Sequence, residues 1–387
     1  MSHAALPDAI DALRTLIAFD TTSRNSNLAL IDHVEAQLAG LGAMCERVPS
    51  PDGRKANLHA RFGPQVDGGI ILSGHTDVVP VDGQPWTSDP WDLTERDGKL
   101  YGRGTCDMKG FSACILALAP KIAAASLKRP VHIALSYDEE VGCLGAPALI
   151  DEIMKGPVKP ASVIVGEPTD MKVVTAHKGL FSVVVTLRGK EAHSSLVNDG
   201  ACAVTHAVPL MQYLVEQGEA MRAAAPADSP FDPPFGTLTI GEVKGGTALN
   251  ILALDAEFGS LMRPCPWDDV QSIADGLRAR AAEVEAKMRE TAPEASVRVS
   301  VRSNVPAFAP EAEGSAERLA RQLTGDNSTR VVSYGTEAGQ FQVAGLSVVV
   351  CGPGSIEQAH QPDEFVSIDQ LDQCCAFLDK MVGVLEA

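Results

Sequence analysis

The sequence has no C-x-x-C motif, although nine cysteines are scattered along its 387 residues. Their odd number and irregular spacing argue against a disulfide framework and against a zinc site built from thiolates. Reduced thiols of this kind are typical of cytosolic proteins, so we expect a cytoplasmic location.

Basic residues are also scarce, with 32 Lys and Arg against 50 Asp and Glu, which gives a net charge of −18. A surface of this charge repels phosphate backbones and anionic lipid headgroups. We therefore expect neither nucleic acid nor a membrane as a partner.

Long hydrophobic runs are missing as well. The longest, residues 111–119, ends at Pro120 and is too short to span a bilayer. The N-terminus carries Asp8 and Asp11 and lacks the basic and apolar regions of a signal peptide. We expect a chain that is neither inserted in a membrane nor secreted.

What is present is an α/β pattern long enough for two domains. Short apolar strands are predicted near residues 57–61, 69–73, 131–137 and 162–165, with helices between them. Such alternation predicts a sheet covered by helices on both faces.

The middle of the chain follows a different order. Residues 181–188, 236–243, 255–262 and 296–302 read as strands, and residues 201–217 and 267–288 read as helices. The order β-α-β-β-α-β is typical of a small ferredoxin-like domain. We therefore predict an α/β domain, residues 1–177 and 304–387, interrupted by an inserted domain, residues 178–303.

Polar residues follow several of the apolar strands. His75 and Asp77 end one strand, and residues two apart on a strand share a face. The imidazole could bind a metal while the carboxylate orients it. The alternative is a buried histidine that is hydrogen-bonded to a turn aspartate.

Asp107 lies among glycines at a predicted helix start, where it could be a metal ligand or simply an N-cap. Asp107 also occupies the third glycine position of a G-x-G-x-x-G motif, which excludes a dinucleotide loop.

Glu139 and Glu140 follow another strand, and such crowding of carboxylates is costly unless a cation compensates. A solvated acidic turn is the alternative there.

Glu167 and His360 complete the pattern, each just after an apolar strand or its loop. In open α/β sheets this edge is where ligands collect. Two imidazoles and three carboxylates form a mixed nitrogen and oxygen donor set suited to zinc. Five ligands with one of them bridging suit two metals about 3.5–4 Å apart.

These motifs resemble those of the M20 family of co-catalytic zinc hydrolases, in order and over essentially the whole chain. The matching strings are Gly74-His75-Thr-Asp77-Val-Val-Pro80, Gly102-Arg-Gly-Thr-Cys-Asp107-Met-Lys-Gly110, Asp138-Glu139-Glu140-Val-Gly142, Gly166-Glu167-Pro-Thr169 and Ala359-His360-Gln-Pro-Asp-Glu364.

The resemblance implies a role for each of these residues. His75 and Glu167 would bind one zinc, Glu140 and His360 the other, and Asp107 would bridge the two. Asp77 would orient His75, and Glu139 would act as general base. Cobalt is a candidate substitute for zinc. The family often has a cis peptide bond after the bridging aspartate, here Asp107-Met108.

The resemblance also implies that the inserted domain is a dimerisation and lid domain. His193 would reach the partner subunit's active site and stabilise the oxyanion. Asn250, Arg263 and Gly354 match substrate-binding positions. The family usually has Asn-x-x-Pro, whereas this chain has Asn250-Ile-Leu-Ala253.

Within the family, residues 334–341 and 352–360 look most like acetylornithine deacetylases. The resemblance therefore implies hydrolysis of N2-acetyl-L-ornithine to L-ornithine and acetate, a step of arginine biosynthesis, in a homodimer. The alternatives are a succinyl-diaminopimelate desuccinylase, another aminoacylase or dipeptidase of the family, and a non-catalytic binding relative. A non-catalytic relative should lack some metal ligands or the general base, whereas this chain has all five ligand residues and Glu139.

Overall fold

A computed structural model describes residues 2–387, which divide into two compact units. The first contains the residues up to Ala176, Phe308–Val331 and Thr336–Ala387, and the second contains His177–Ala307 and Val332–Gly335. The predicted insert lies within the second unit.

The first stretch of the chain contains α1 (Leu6–Ile17), α2 (Leu28–Gly40), β1 (Met44–Pro49), β2 (Ala56–Phe62), β3 (Gly69–His75), β4 (Thr94–Arg96), β5 (Lys99–Tyr101), α3 (Lys109–Ala124), β6 (Val131–Ser136), α4 (Ala146–Lys155), β7 (Pro160–Val165) and β8 (Ala176–His177). The middle stretch contains β9 (Leu180–Arg188), α5 (Ala203–Ala223), β10 (Thr237–Gly245), β11 (Asp255–Arg263), α6 (Val270–Arg289) and β12 (Ser296–Val305). The last stretch contains α7 (Ser315–Thr324), β13 (Val331–Val332), α8 (Ala338–Val343), β14 (Ser347–Val350), β15 (Phe365–Ser367) and α9 (Ile368–Glu386).

A six-stranded sheet in the order β1-β2-β6-β3-β7-β14 forms the centre of the first unit. Strands β6, β3, β7 and β14 run parallel to one another, whereas β1 and β2 are antiparallel additions at one edge. Every residue of β3 and β6 is buried, because helices cover both faces of a parallel sheet. Leu13, Ile31, Phe111, Leu378 and Leu72 belong to the core on one of these faces.

The parallel strands place their carboxyl ends at the same edge of the sheet. His75 is the last residue of β3, Glu139 and Glu140 follow β6, and Glu167 follows β7. The predicted α/β architecture is confirmed, and its main consequence is that the candidate ligands share one edge.

The second unit has the predicted order of elements. Its sheet runs β10-β11-β9-β12, with every neighbouring pair antiparallel. Leu210 of α5 and Leu277 of α6 belong to one buried core together with Phe258 of the sheet. This is the ferredoxin-like topology. The last strand continues to Val305, two residues beyond the predicted boundary at residue 303.

The helices in the described part of the chain are too short or too polar to cross a membrane.

Candidate metal centre

His75 is held in one orientation at the end of β3, with 1% of its surface exposed. Its Nδ1 lies 2.9 Å from the backbone oxygen of Asp77, so a proton on Nδ1 donates to that carbonyl and leaves Nε2 for a metal. The Asp77 carboxylate is further away, at 3.7 Å. It accepts hydrogen bonds from the backbone N–H groups of Glu139 and Glu140, at 3.1 and 3.3 Å. Asp77 therefore contacts His75 through its carbonyl, and its carboxylate holds the next loop.

Asp107 lies between the two imidazoles. Its Oδ1 is 2.9 Å from Nε2 of His75, and its Oδ2 is 3.2 Å from Nε2 of His360. Glu140 lies on the His360 side, at 2.9 Å, and Glu167 on the His75 side, at 3.8 Å. The structure thus brings the five predicted ligands together, with one Asp107 oxygen facing each histidine.

The peptide bond between Asp107 and Met108 is cis, as the resemblance implied.

The carboxylates of this cluster are crowded and buried. Burial raises the pKa of Glu139 to about 8, with His75 opposing the rise and neighbouring carboxylates adding to it. Burial, followed by the charge of Asp107, raises the pKa of Glu140 to about 7 and holds that of Glu167 well above its usual range. Each of these groups would favour its charged form if a cation lay between them.

The donor set fits such a cation. Glu140 Oε1 is fully buried and has no hydrogen-bond partner. Across residues 2–387, Asp107, Glu140 and Glu167 form ion pairs with histidines and with no Lys or Arg. Two sets of three side chains each have their donor atoms within 4.8 Å of one another. One set is His75, Glu139 and Glu167, and the other is His75, Asp107 and Glu140. Imidazole and carboxylate donors at this spacing suit zinc.

Another buried carboxylate, that of Glu364, holds the loop that carries Asp107. Its Oε1 accepts from the backbone N–H groups of Cys106 and Asp107, at 2.8 and 3.0 Å. Its Oε2 accepts from Arg103 at 2.6 Å and from the Gly104 N–H at 3.0 Å. Four donors on one carboxylate fix the position of the loop before any ligand binds.

The same buried Arg103 also reaches the loop of His360. Its Nη2 donates to Gln84 Oε1 at 2.5 Å, and Gln84 Nε2 donates to the backbone oxygen of His360 at 2.9 Å. The ion pair of Arg103 with Glu364 therefore connects the loop of Asp107 to the loop of His360.

Replacing Glu364 with glutamine is expected to weaken metal binding about 10–100-fold, the usual cost of removing a group that orients metal ligands. The carboxamide nitrogen would face N–H donors in place of an acceptor. Competition with a chelating dye would measure the metal dissociation constant, and Glu357→Gln, an exposed site seven residues earlier, is the matched control. Metal affinity within twofold of wild type in a folded E364Q protein would refute this role.

His193, Asn250 and Arg263 belong to the second unit. His193 is exposed, and its Nδ1 lies 2.8 Å from Ser195 Oγ. The backbone oxygen of Asn250 accepts from the Ser194 N–H at 2.9 Å, so His193 and Asn250 lie in neighbouring segments. Arg263 is the last residue of β11.

Gly354 belongs to the first unit and has a φ of 86°, which favours glycine. A Cβ there would lie 2.6 Å from Cys106 Sγ. Gly354 thus packs against the residue that precedes Asp107, and a side chain at this position would displace that loop.

The sequence patterns gave no role to Glu364 or to Glu337. Glu337 contacts the ends of β3 and β6, next to the candidate ligands. Glu337 is buried and bonds to Ser136, and it accepts from Ser73 Oγ at 3.2 Å. Burial raises its pKa to about 7, against the effect of these hydroxyl groups. Both glutamates lie inside the strings that carry the family resemblance, and that position was the available signal.

Comparison with known proteins identifies relatives of this chain. The family model described as peptidase family M20/M25/M40 matches residues 71–383. An acetylornithine deacetylase of Myxococcus xanthus is 36% identical over 98% of both chains. Among solved structures, an M20 family metallo-carboxypeptidase of Sulfolobus solfataricus superposes with a TM-score of 0.75 at 15% identity, covering 98% of this chain and 99% of the other. A dinuclear metal-binding peptidase of Bacillus subtilis gives a TM-score of 0.66 at 16% identity and covers 99% of each chain.

Proposed function

The chain belongs to peptidase family M20, and from this premise we propose that it hydrolyses the amide bond of a small N-acyl amino acid, N2-acetyl-L-ornithine first. The observation that carries the proposal is the arrangement of His75, Glu167, Glu140 and His360 around the two oxygens of Asp107. The similarity to acetylornithine deacetylase over nearly the whole chain supports the choice of substrate.

The proposed centre uses two divalent ions, zinc first and cobalt as a substitute. His75 and Glu167 would hold one ion, Glu140 and His360 the other, with Asp107 between them. When bound, the ions polarise the acyl carbonyl and lower the pKa of the attacking water. The dinuclear relative from Bacillus subtilis supports this metal content.

Glu139 is the proposed proton carrier. Its carboxylate takes a proton from the water as the water oxygen bonds to the acyl carbon. It returns that proton to the amine nitrogen as the carbon–nitrogen bond breaks. Without cations, burial raises the pKa of Glu139 to about 8, and bound metal ions would favour the charged form that accepts a proton.

The substrate is proposed to contact Arg263 and Asn250 of the second unit and Gly354 of the first. Arg263 would pair with the substrate α-carboxylate, because a guanidinium fork matches a carboxylate in two hydrogen bonds. Asn250 and Gly354 would contribute further contacts. His193 of the partner subunit would donate a hydrogen bond to the developing oxyanion.

A homodimer is proposed because the second unit exposes apolar surface. Val204, Val208 and Val215 lie on the same side of α5 and are exposed, Val208 to 54%. In the same unit, β10 is an edge strand whose Val243 is also exposed. An unpaired edge strand and an exposed apolar helix face within one unit favour pairing of two copies about a two-fold axis.

Steady-state kinetics on a substrate panel tests the function. We expect kcat/KM to be highest for N2-acetyl-L-ornithine and far lower for N-succinyl-diaminopimelate and for dipeptides. The methyl ester of acetylornithine should react at least about 10-fold more slowly, because it cannot form the charged pair with Arg263. Equal rates for acid and ester would refute the role of Arg263. A higher kcat/KM for the succinyl substrate or a dipeptide would show that acetylornithine is not the preferred substrate.

A further inference from the structure

A cavity separate from the metal centre lies in the first unit, where β1 and β2 meet the C-terminal end of α4. Its volume is about 270 Å³, and none of the metal-centre residues lines it. Its walls include Met44, His59, Arg61, Ile153 and Val158. Since a cavity of about 150 Å³ accommodates benzene, this one has room for a molecule the size of an amino acid.

Arg61 is the unusual residue of this cavity. Its side chain is more than nine-tenths buried, and Nη1 is fully buried without a hydrogen-bond partner. Nη2 donates to Met44 Sδ at 2.9 Å, and a thioether sulfur is a weak acceptor. Among the ion pairs of residues 2–387, none involves Arg61. A buried charge without a counterion is costly, and proteins pair such groups.

The two histidines beside Arg61 do not supply the missing negative charge, and neither adds positive charge. His59 and His132 stack, with Nε2 of one 2.9 Å from Nδ1 of the other. Burial lowers the pKa of His59 to about 4 and that of His132 to about 3, and the charge of Arg61 contributes to both. Arg61 is therefore the single positive charge among the residues that line the cavity.

Two carboxylates complete the cavity wall. Glu46 is exposed and Glu152 is half-buried, and both line the opening. The cavity thus offers one buried cation and two more accessible anions. The complementary ligand carries one carboxylate and two cationic groups.

We propose that this cavity binds a basic α-amino acid, with its carboxylate on Arg61 and its two cationic groups toward Glu46 and Glu152. The carboxylate replaces the Met44 thioether and accepts from both Nη1 and Nη2, the two-hydrogen-bond geometry that guanidinium favours. Met44 can leave, because it is flexible and 60% exposed. The site is independent of the proposed reaction, since it uses none of the same residues.

Isothermal titration of the metal-loaded protein tests the proposal, with L-ornithine and L-lysine as ligands. Putrescine lacks the carboxylate and norvaline lacks the side-chain cation, so both should bind at least about 10-fold more weakly. Arg61→Met should remove the cavity's binding isotherm, and Arg61→Lys should weaken it, because lysine lacks the fork. Arg47→Met is the matched control, since Arg47 lies on the same β1–β2 hairpin as Arg61 and pairs with Asp32 of α2.

The same ligands could also bind at the catalytic site, and the Arg263→Met variant distinguishes that binding from binding in the cavity. The isotherm that persists in R263M and disappears in R61M belongs to the cavity. If R61M binds as wild type does, or if R263M abolishes all binding, the proposal is wrong. If R61M does not fold, R61K decides: an unchanged dissociation constant in R61K would overturn the proposal.

Discussion

Replacing Glu139 with glutamine is expected to lower kcat by about 10²–10⁴-fold while the metal content stays at the wild-type level. The amide keeps the size of the side chain but cannot accept and return a proton at neutral pH. The loss should fall on kcat, with KM for acetylornithine little changed, because the residue acts on the reacting water.

The structure makes this variant decisive, because Glu139 has two candidate roles. Its carboxylate belongs to one group of ligand atoms with His75 and Glu167. It also accepts a hydrogen bond from Cys143 Sγ at 3.2 Å, and its N–H is held by Asp77. A base keeps the metals when it is replaced, whereas a ligand loses one.

Elemental analysis of Glu139→Gln beside its kinetics therefore decides between the roles. Glu95→Gln, at an exposed position, controls for the removal of a carboxylate. Turnover within a few-fold of wild type with metals bound would show that Glu139 is not the base. A missing metal ion would make it a ligand.

Co-expression of Glu139→Ala chains with His193→Ala chains is expected to restore about a quarter of wild-type activity, although each variant alone is inactive. If pairing is random, about half of the dimers are heterodimers. In each heterodimer the chain with intact Glu139 receives His193 of the partner subunit, which gives one intact site of two.

The recovery depends on His193 acting across the two-fold axis. If both residues acted within one chain, each site of a heterodimer would carry one lesion and no activity would return. Mass spectrometry of the purified mixture provides the control by confirming that heterodimers are present. Recovery near zero in their presence would refute the shared site.

Much of the fold was predictable because the local patterns agree with the final architecture. Strands β3, β6 and β7 are rich in Val, Ile and Leu and largely buried, and each ends at or just before a polar residue of the centre. The alternation of β9 and β11 likewise matches a sheet with one face on the core. These signals lie within single segments of the chain, so they can be read without tertiary information.

Other features could not be predicted for physical reasons. The edge strand β1 is largely exposed and contains no apolar run, and β4, β5 and β15 are three residues long. Helix α5 continues to Ala223, six residues beyond the predicted end, because packing in the second unit outweighs the glycine at position 218.

The positions of the candidate ligands were predictable from the sequence. The buried residues that hold the ligands' loops in place were not. Arg103 and Glu364 are 261 residues apart in the sequence, so no local pattern indicates that they pair. The same holds for Glu337, which accepts hydrogen bonds from Ser73 and Ser136. Arg61 reads as an ordinary strand residue until the cavity beside it is seen.

The central claim is that the cluster around Asp107 holds divalent metal ions that the hydrolysis requires. The most direct measurement strips the protein with a chelator, determines its metal content by elemental analysis and follows acetylornithine hydrolysis in the same sample. We expect activity to fall in proportion to the metal and to return on addition of zinc or cobalt. Full turnover by protein shown to be metal-free would contradict the account.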